Sequence, residues 1–139
     1  MLNKKVSKSL KCVSLIVFTI LIFAGIVYAV DCWVFQFNGS APYPNPADSG
    51  SQVKETMNLC VLGDDSQTYP ALIRSIVYNY LGQKVYERTE EHSSSPSFQM
   101  VVWVVGDDVA SGSYTIKTRA ESDICGNSSW YQRSVTIVN

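Results

Sequence analysis

Histidine is nearly missing. His92 is the only one in 139 residues, and it sits in "TEEHSSSPS", a polar stretch that reads as a solvated loop. Hydrolysis of the Ser-His-Asp kind needs an imidazole locked by its neighbours, so a hydrolytic enzyme is the least favoured reading. Cysteine is scarce as well: there are four, at Cys12, Cys32, Cys60 and Cys125, and no two stand at Cys-x-x-Cys spacing. That removes the common zinc and dithiol redox patterns. Neither the GxGxxG nor the GxxxxGK[ST] phosphate-cradling loop occurs, and no cofactor or metal is expected. Positive charge is short too. Residues 31–139 carry 7 Lys and Arg against 12 Asp and Glu, a net charge of −5. A surface built for nucleic acid leans the other way, so no nucleic-acid partner is expected.

What the first thirty residues lack is acid. Lys4, Lys5, Lys8 and Lys11 precede a run, Cys12 to Val30, with no charge in 19 residues. Basic residues before an apolar run keep the N-terminus in the cytoplasm and send the following chain across the membrane. A spanning helix needs roughly 17–25 residues, and a signal-peptide core about 7–15. Residues 1–30 are therefore expected to be a retained transmembrane anchor, with residues 31–139 as one extracytoplasmic domain. The alternative is a signal segment cut near Ala29, where Val27-Tyr28-Ala29 offers a cleavage site, giving a secreted protein.

Beyond the anchor no window has helical periodicity of useful length. Seven short apolar or alternating runs appear instead, separated by turn signals. "CWVFQFNG" puts Trp33, Phe35 and Phe37 on one face. "SAPYPNPADSGS" is a loop, set by Pro42, Pro44 and Pro46. In "QVKETMNLCVL", Val53, Met57, Leu59 and Val61 share one side, and Lys54, Asn58 and Cys60 the other. "ALIRSIVYNYLGQKVYERTE" reads as two strands joined by a tight turn near Leu81-Gly82-Gln83. "EHSSSPS" is expected to be a loop. "FQMVVWVV" is nearly all apolar, which suggests burial on both faces or a central place in a sheet. "SYTIKTRAE" faces Tyr114, Ile116 and Ala120 inward and Lys117 and Arg119 outward, and "WYQRSVTIV" closes the chain. Many short strands with a turn after each predict an all-β sandwich of about seven strands, and about 110 residues suffice for one core. "GDD" occurs twice, at Gly63-Asp64-Asp65 and Gly106-Asp107-Asp108. Both are read as turns, which select Asp and Gly for backbone reasons.

In "VASGSYTIKTRA" an apolar strand and a polar turn lead into Gly-x-Tyr-x-apolar. This resembles the E–F corner of immunoglobulin-like domains in extracellular prokaryotic proteins, a pattern shared with fibronectin type III and macroglobulin-type modules. "IVYNYLGQKVYERTE" is similar to their central hairpin. The resemblance covers roughly Cys32 to Val138. It implies that Tyr114 is the corner tyrosine, whose hydroxyl ties the E–F loop to its strand. Antibody-type domains place a cysteine two residues after that tyrosine, where this chain has Ile116, so the antibody-like core disulfide is absent. Immunoglobulin strand order gathers Cys32, Cys60 and Cys125 at one pole. It favours a Cys32–Cys125 bond with Cys60 left as a thiol, and it separates the two acidic pairs to opposite poles.

Aromatics near loops, Tyr43, Trp130 and Tyr131, are candidate partner contacts, with capping of the sheet ends as their structural alternative. Asn38 and Asn127 begin Asn-x-Ser sequons, which mark possible glycosylation in an exported domain. The expected function is non-catalytic: a binding or scaffolding domain, membrane-tethered as an accessory subunit of a larger assembly. A secreted filament or surface-layer subunit assembling through sheet edges is the alternative. The expected partners are other proteins, whether membrane subunits or further copies of the chain, and the membrane itself through residues 12–30.

Overall fold

The computed structural model describes residues 32–63, 70–93 and 95–139. Eight strands fill them: β1 Cys32–Gly39, β2 Ala47–Asp48, β3 Gln52–Gly63, β4 Pro70–Tyr78, β5 Lys84–Ser93, β6 Ser95–Val104, β7 Gly112–Glu121 and β8 Tyr131–Val138. They form a three-stranded sheet, β1-β3-β6, and a five-stranded sheet, β2-β8-β7-β4-β5. Every pairing is antiparallel except the short β2–β8 pair, which is parallel. The fold is all-β. Among the described residues no helix is long and apolar enough to cross a membrane, and the segment expected to do so, residues 12–30, lies outside them.

Alternation builds the core. Val53, Met57 and Leu59 from β3 meet Ile73 and Val77 of β4, Tyr114, Ile116 and Ala120 of β7, and Val135 and Ile137 of β8. Both sheets thus bury one face against the other in a single cluster, with Trp103 tilted on Tyr114 at a ring separation of 5.0 Å.

Four expectations need correcting. The proline-rich loop is not wholly irregular: it carries β2, an added strand beside β8, so the count is eight. "EHSSSPS" is not a loop, because β5 runs to Ser93 and β6 starts at Ser95. The chain passes from one sheet to the other there, and strand pairing with β4 extends through His92 and Ser93. "FQMVVWVV" is not central, since β6 is an edge strand. Its burial on both sides arises from a register shift: Val53 faces Trp103 but Lys54 faces Val101, so Val102 is the extra residue of a bulge. Val102 and Trp103, adjacent in sequence, are consequently both buried. His92, finally, is not on a solvated loop. It lies in β5 and stacks on Phe98 of the other sheet, ring centroids 4.0 Å apart, with Nε2 2.9 Å from Glu90 Oε1.

Register also assigns the ends of the molecule. Tyr78 pairs with Thr115, and Gly112 with Ile137. This puts the β4–β5 turn, the β6–β7 turn and the end of β8 at one pole. Gly50 donates to the Val105 carbonyl, which adds the β2–β3 turn. Cys32 pairs with Gly63, and Leu72 with Glu121, so the start of β1 and the β7–β8 turn share the other pole.

Candidate functional site

The β4–β5 hairpin makes the most exposed apolar tip among the described residues. Tyr80 is 83% exposed and Leu81 63%. Their backbone is nevertheless closely held. Asn79 Oδ1 accepts from the amides of Leu81 and Gln83, its Nδ2 donates to Gln83 Oε1, and the Gly82 amide returns to the Asn79 carbonyl. Gly82 has φ 76°, the left-handed region where a side chain is costly. The turn thus holds two large apolar side chains in water on a closely hydrogen-bonded backbone.

The same pole holds Asp107 and Asp108, which are exposed in a turn closed by the Val109 amide on the Gly106 carbonyl. Asp64 and Asp65 lie outside the described residues. Tyr114 Oη donates to the Ala110 carbonyl at 2.8 Å, so the tyrosine anchors the β6–β7 turn from inside the core.

At the other pole Cys32 and Cys125 form a disulfide, Cα–Cα 4.9 Å, across a sequence separation of 93. Val61 packs against it. Cys60 is not the free thiol expected of it: it is disulfide-bonded and buried. Alternation in β3 still sets it opposite Leu59, but its side chain is covered rather than in solvent.

The remaining candidates separate. Tyr43 is 76% exposed at the sheet margin, where its backbone exchanges two hydrogen bonds with Lys54. Trp130 is 39% exposed under the Arg119 guanidinium, 4.4 Å from its ring. Tyr131 is half-buried beneath the Arg133 guanidinium at 4.3 Å, which makes it a wall of the interior. Asn38 is half-buried in β1 and accepts from Asn58 Nδ2 at 3.0 Å, while Asn127 is exposed in the β7–β8 turn and accepts from the Ser122 amide.

Between the poles lies a pair that alternation alone had not drawn attention to. Glu55 of β3 and Arg133 of β8 face each other across the two sheets, both buried. Arg133 Nε donates to Glu55 Oε1 at 3.0 Å and Nη2 to Oε2, while Nη1 donates to Thr118 Oγ1 and the Tyr131 carbonyl. Burial pushes the Glu55 carboxyl up from 4.5 to about 7 against the pull of Arg133, and draws the guanidinium down. Gly39 lies against the pair: a Cβ there meets Met57 Sδ at 2.6 Å and Glu55 Oε2 at 3.1 Å. The signal was present in the sequence, since Glu55 shares the parity of Val53 and Met57, and Arg133 that of Val135 and Ile137. With both carboxyl oxygens engaged and no solvent access, the pair ties sheet to sheet. Among the described residues no cluster of His, Cys, Asp or Glu is arranged to hold a metal ion.

No family model matches the sequence, and no curated protein matches it.

Proposed function

We propose that residues 31–139 are an immunoglobulin-like β-sandwich serving as a non-catalytic binding or scaffolding domain on the extracytoplasmic side. Residues 12–30 tether it as an accessory subunit of a larger assembly. Strand order supports the architecture: β1-β3-β6 against β8-β7-β4-β5 follows the A-B-E and G-F-C-C′ grouping of such sandwiches, and Tyr114 makes the corner bond. Fold alone transfers no activity, so the functional reading rests on one observation, the fixed hairpin tip with Tyr80 and Leu81 in solvent. It stands at the pole opposite Cys32, where the chain leaves the tether, and so faces away from the membrane toward a protein partner.

The test is a pull-down from mildly solubilised membranes, comparing the native chain with Tyr80→Ser/Leu81→Ser. Loss of a specific partner at unchanged melting temperature supports the reading. Equal recovery by both proteins overturns it.

The edge-assembly reading keeps one supporting observation. Among the described strands β6 ends its sheet, ten residues without a single charge, whereas β5, which ends the other, carries Lys84, Glu87, Arg88, Glu90 and Glu91. Charge guards an edge against pairing, and β6 lacks it. Concentration-dependent polymers lost on Val101→Lys would favour this second reading.

A further inference from the structure

The β7–β8 turn, residues 122–130, carries one exposed aliphatic residue among mostly polar and small ones. Ile124 stands 71% exposed at its tip. The turn is nonetheless well fixed: Ser122 and Gly126 exchange backbone hydrogen bonds, Ser122 Oγ accepts from the Cys125 amide, and the Ser128 amide donates to the Ala120 carbonyl. Gly126 takes φ 82° to close it. An aliphatic side chain is therefore held in the open by a structured backbone.

Its covalent surroundings say what lies next to it. Cys125 is bonded to Cys32 at a Cα separation of 4.9 Å, and Ile124 is one residue, about 3.8 Å, further on. Val30, the last residue of the uncharged run, precedes Cys32 by two residues, at most about 7 Å of extended chain. The Ile124 backbone is thus confined to within about 16 Å of the end of that run. Trp130 at the same pole, half exposed and capped by Arg119, has the amphipathic character of residues that settle at headgroup depth.

We propose that the β7–β8 turn rests on the outer bilayer surface, with Ile124 inserted among the lipid headgroups and Trp130 beside it, and that the Cys32–Cys125 bond holds it there. The contact is apolar, as a domain of net charge −5 requires, and needs no anionic lipid. The inference rests on the reading of residues 12–30 as a retained span. It makes the tether a two-point attachment, which fixes the tilt of the domain and hence the direction in which the distal hairpin points.

Full-length protein reconstituted in phosphatidylcholine vesicles, with and without brominated acyl chains, tests this. Ile124→Trp and, at the opposite pole, Leu81→Trp each add one indole at an exposed position, read as the difference from the native chain. The expected result is that bromine quenches the added emission of Ile124→Trp by twofold or more and leaves that of Leu81→Trp unchanged. Equal, negligible quenching in protein that resists alkaline carbonate extraction overturns the inference and leaves the anchor standing. Release of the protein by carbonate overturns both together.

Discussion

Glu55 and Arg133 are expensive side chains to hide, and their mutual hydrogen bonds are what make the interior tolerable. Removing one partner strands the other. Glu55→Ala is expected to destabilise by about 3–5 kcal/mol, whereas Glu55→Met with Arg133→Leu recovers most of that loss; urea melts of the three proteins check it. The acid–base consequence has a definite sign. The folded carboxyl sits at about 7, above its ordinary 4.5, so the folded state binds the proton more tightly. Its contribution to stability is full below 4.5 and disappears as pH rises through 7. The melting temperature is expected to fall between pH 5 and 8, and Glu55→Gln to flatten that slope. Gly39→Ala, which presses a methyl toward Met57 and the carboxylate, is expected to cost about 1–3 kcal/mol. At this scale the sequence was only half legible. Parity alone placed Val53, Met57 and Leu59 inside, but it cannot announce that a charged residue of the same parity has found a partner 78 positions away.

Among the elements, the β4–β5 hairpin is where local chemistry decides most. "LGQ" was readable as a turn because glycine supplies the left-handed residue. That Tyr80 and Leu81 would remain in water was not, since the same letters would cap a sheet end equally well. Gly82→Ala meets no atom within 4 Å, so its cost is purely conformational, about 1 kcal/mol, and Gly82→Asn is expected to cost less; thermal melts separate the two. The junction of β5 and β6 misled for a related reason. Serine and proline mark loops when a chain reverses, but here it changes sheets while continuing to pair, and Ser95 still faces Leu59. The bulge at Val102 was likewise hidden, because an apolar run carries no mark of where the ladder slips.

For the molecule as a whole, strand order and the disulfide have one origin. Cys32 and Cys125 meet because β1 begins and β7 ends at the same pole, and the bond closes almost the entire domain into one loop. Cys32→Ala/Cys125→Ala is expected to lose on the order of 4 kcal/mol, measured by denaturant unfolding against the native chain. The all-β class and most strands were legible from alternation, while the assignment of strands to sheets depended on long-range pairing that no short window records. The bond also determines how the domain responds to mechanical load. Tension entering at Cys32 and leaving through the end of β8 crosses directly to Cys125, so residues 33–124 lie in a covalent bypass that carries none of it. Of residues 32–139 only those beyond Cys125 can pay out, about 50 Å of contour at roughly 3.5 Å per residue. Force applied beyond β8 would therefore peel β8 from β2 and β7 and then meet an inextensible stop, and pulling single molecules with and without reductant would show a several-fold difference in released length.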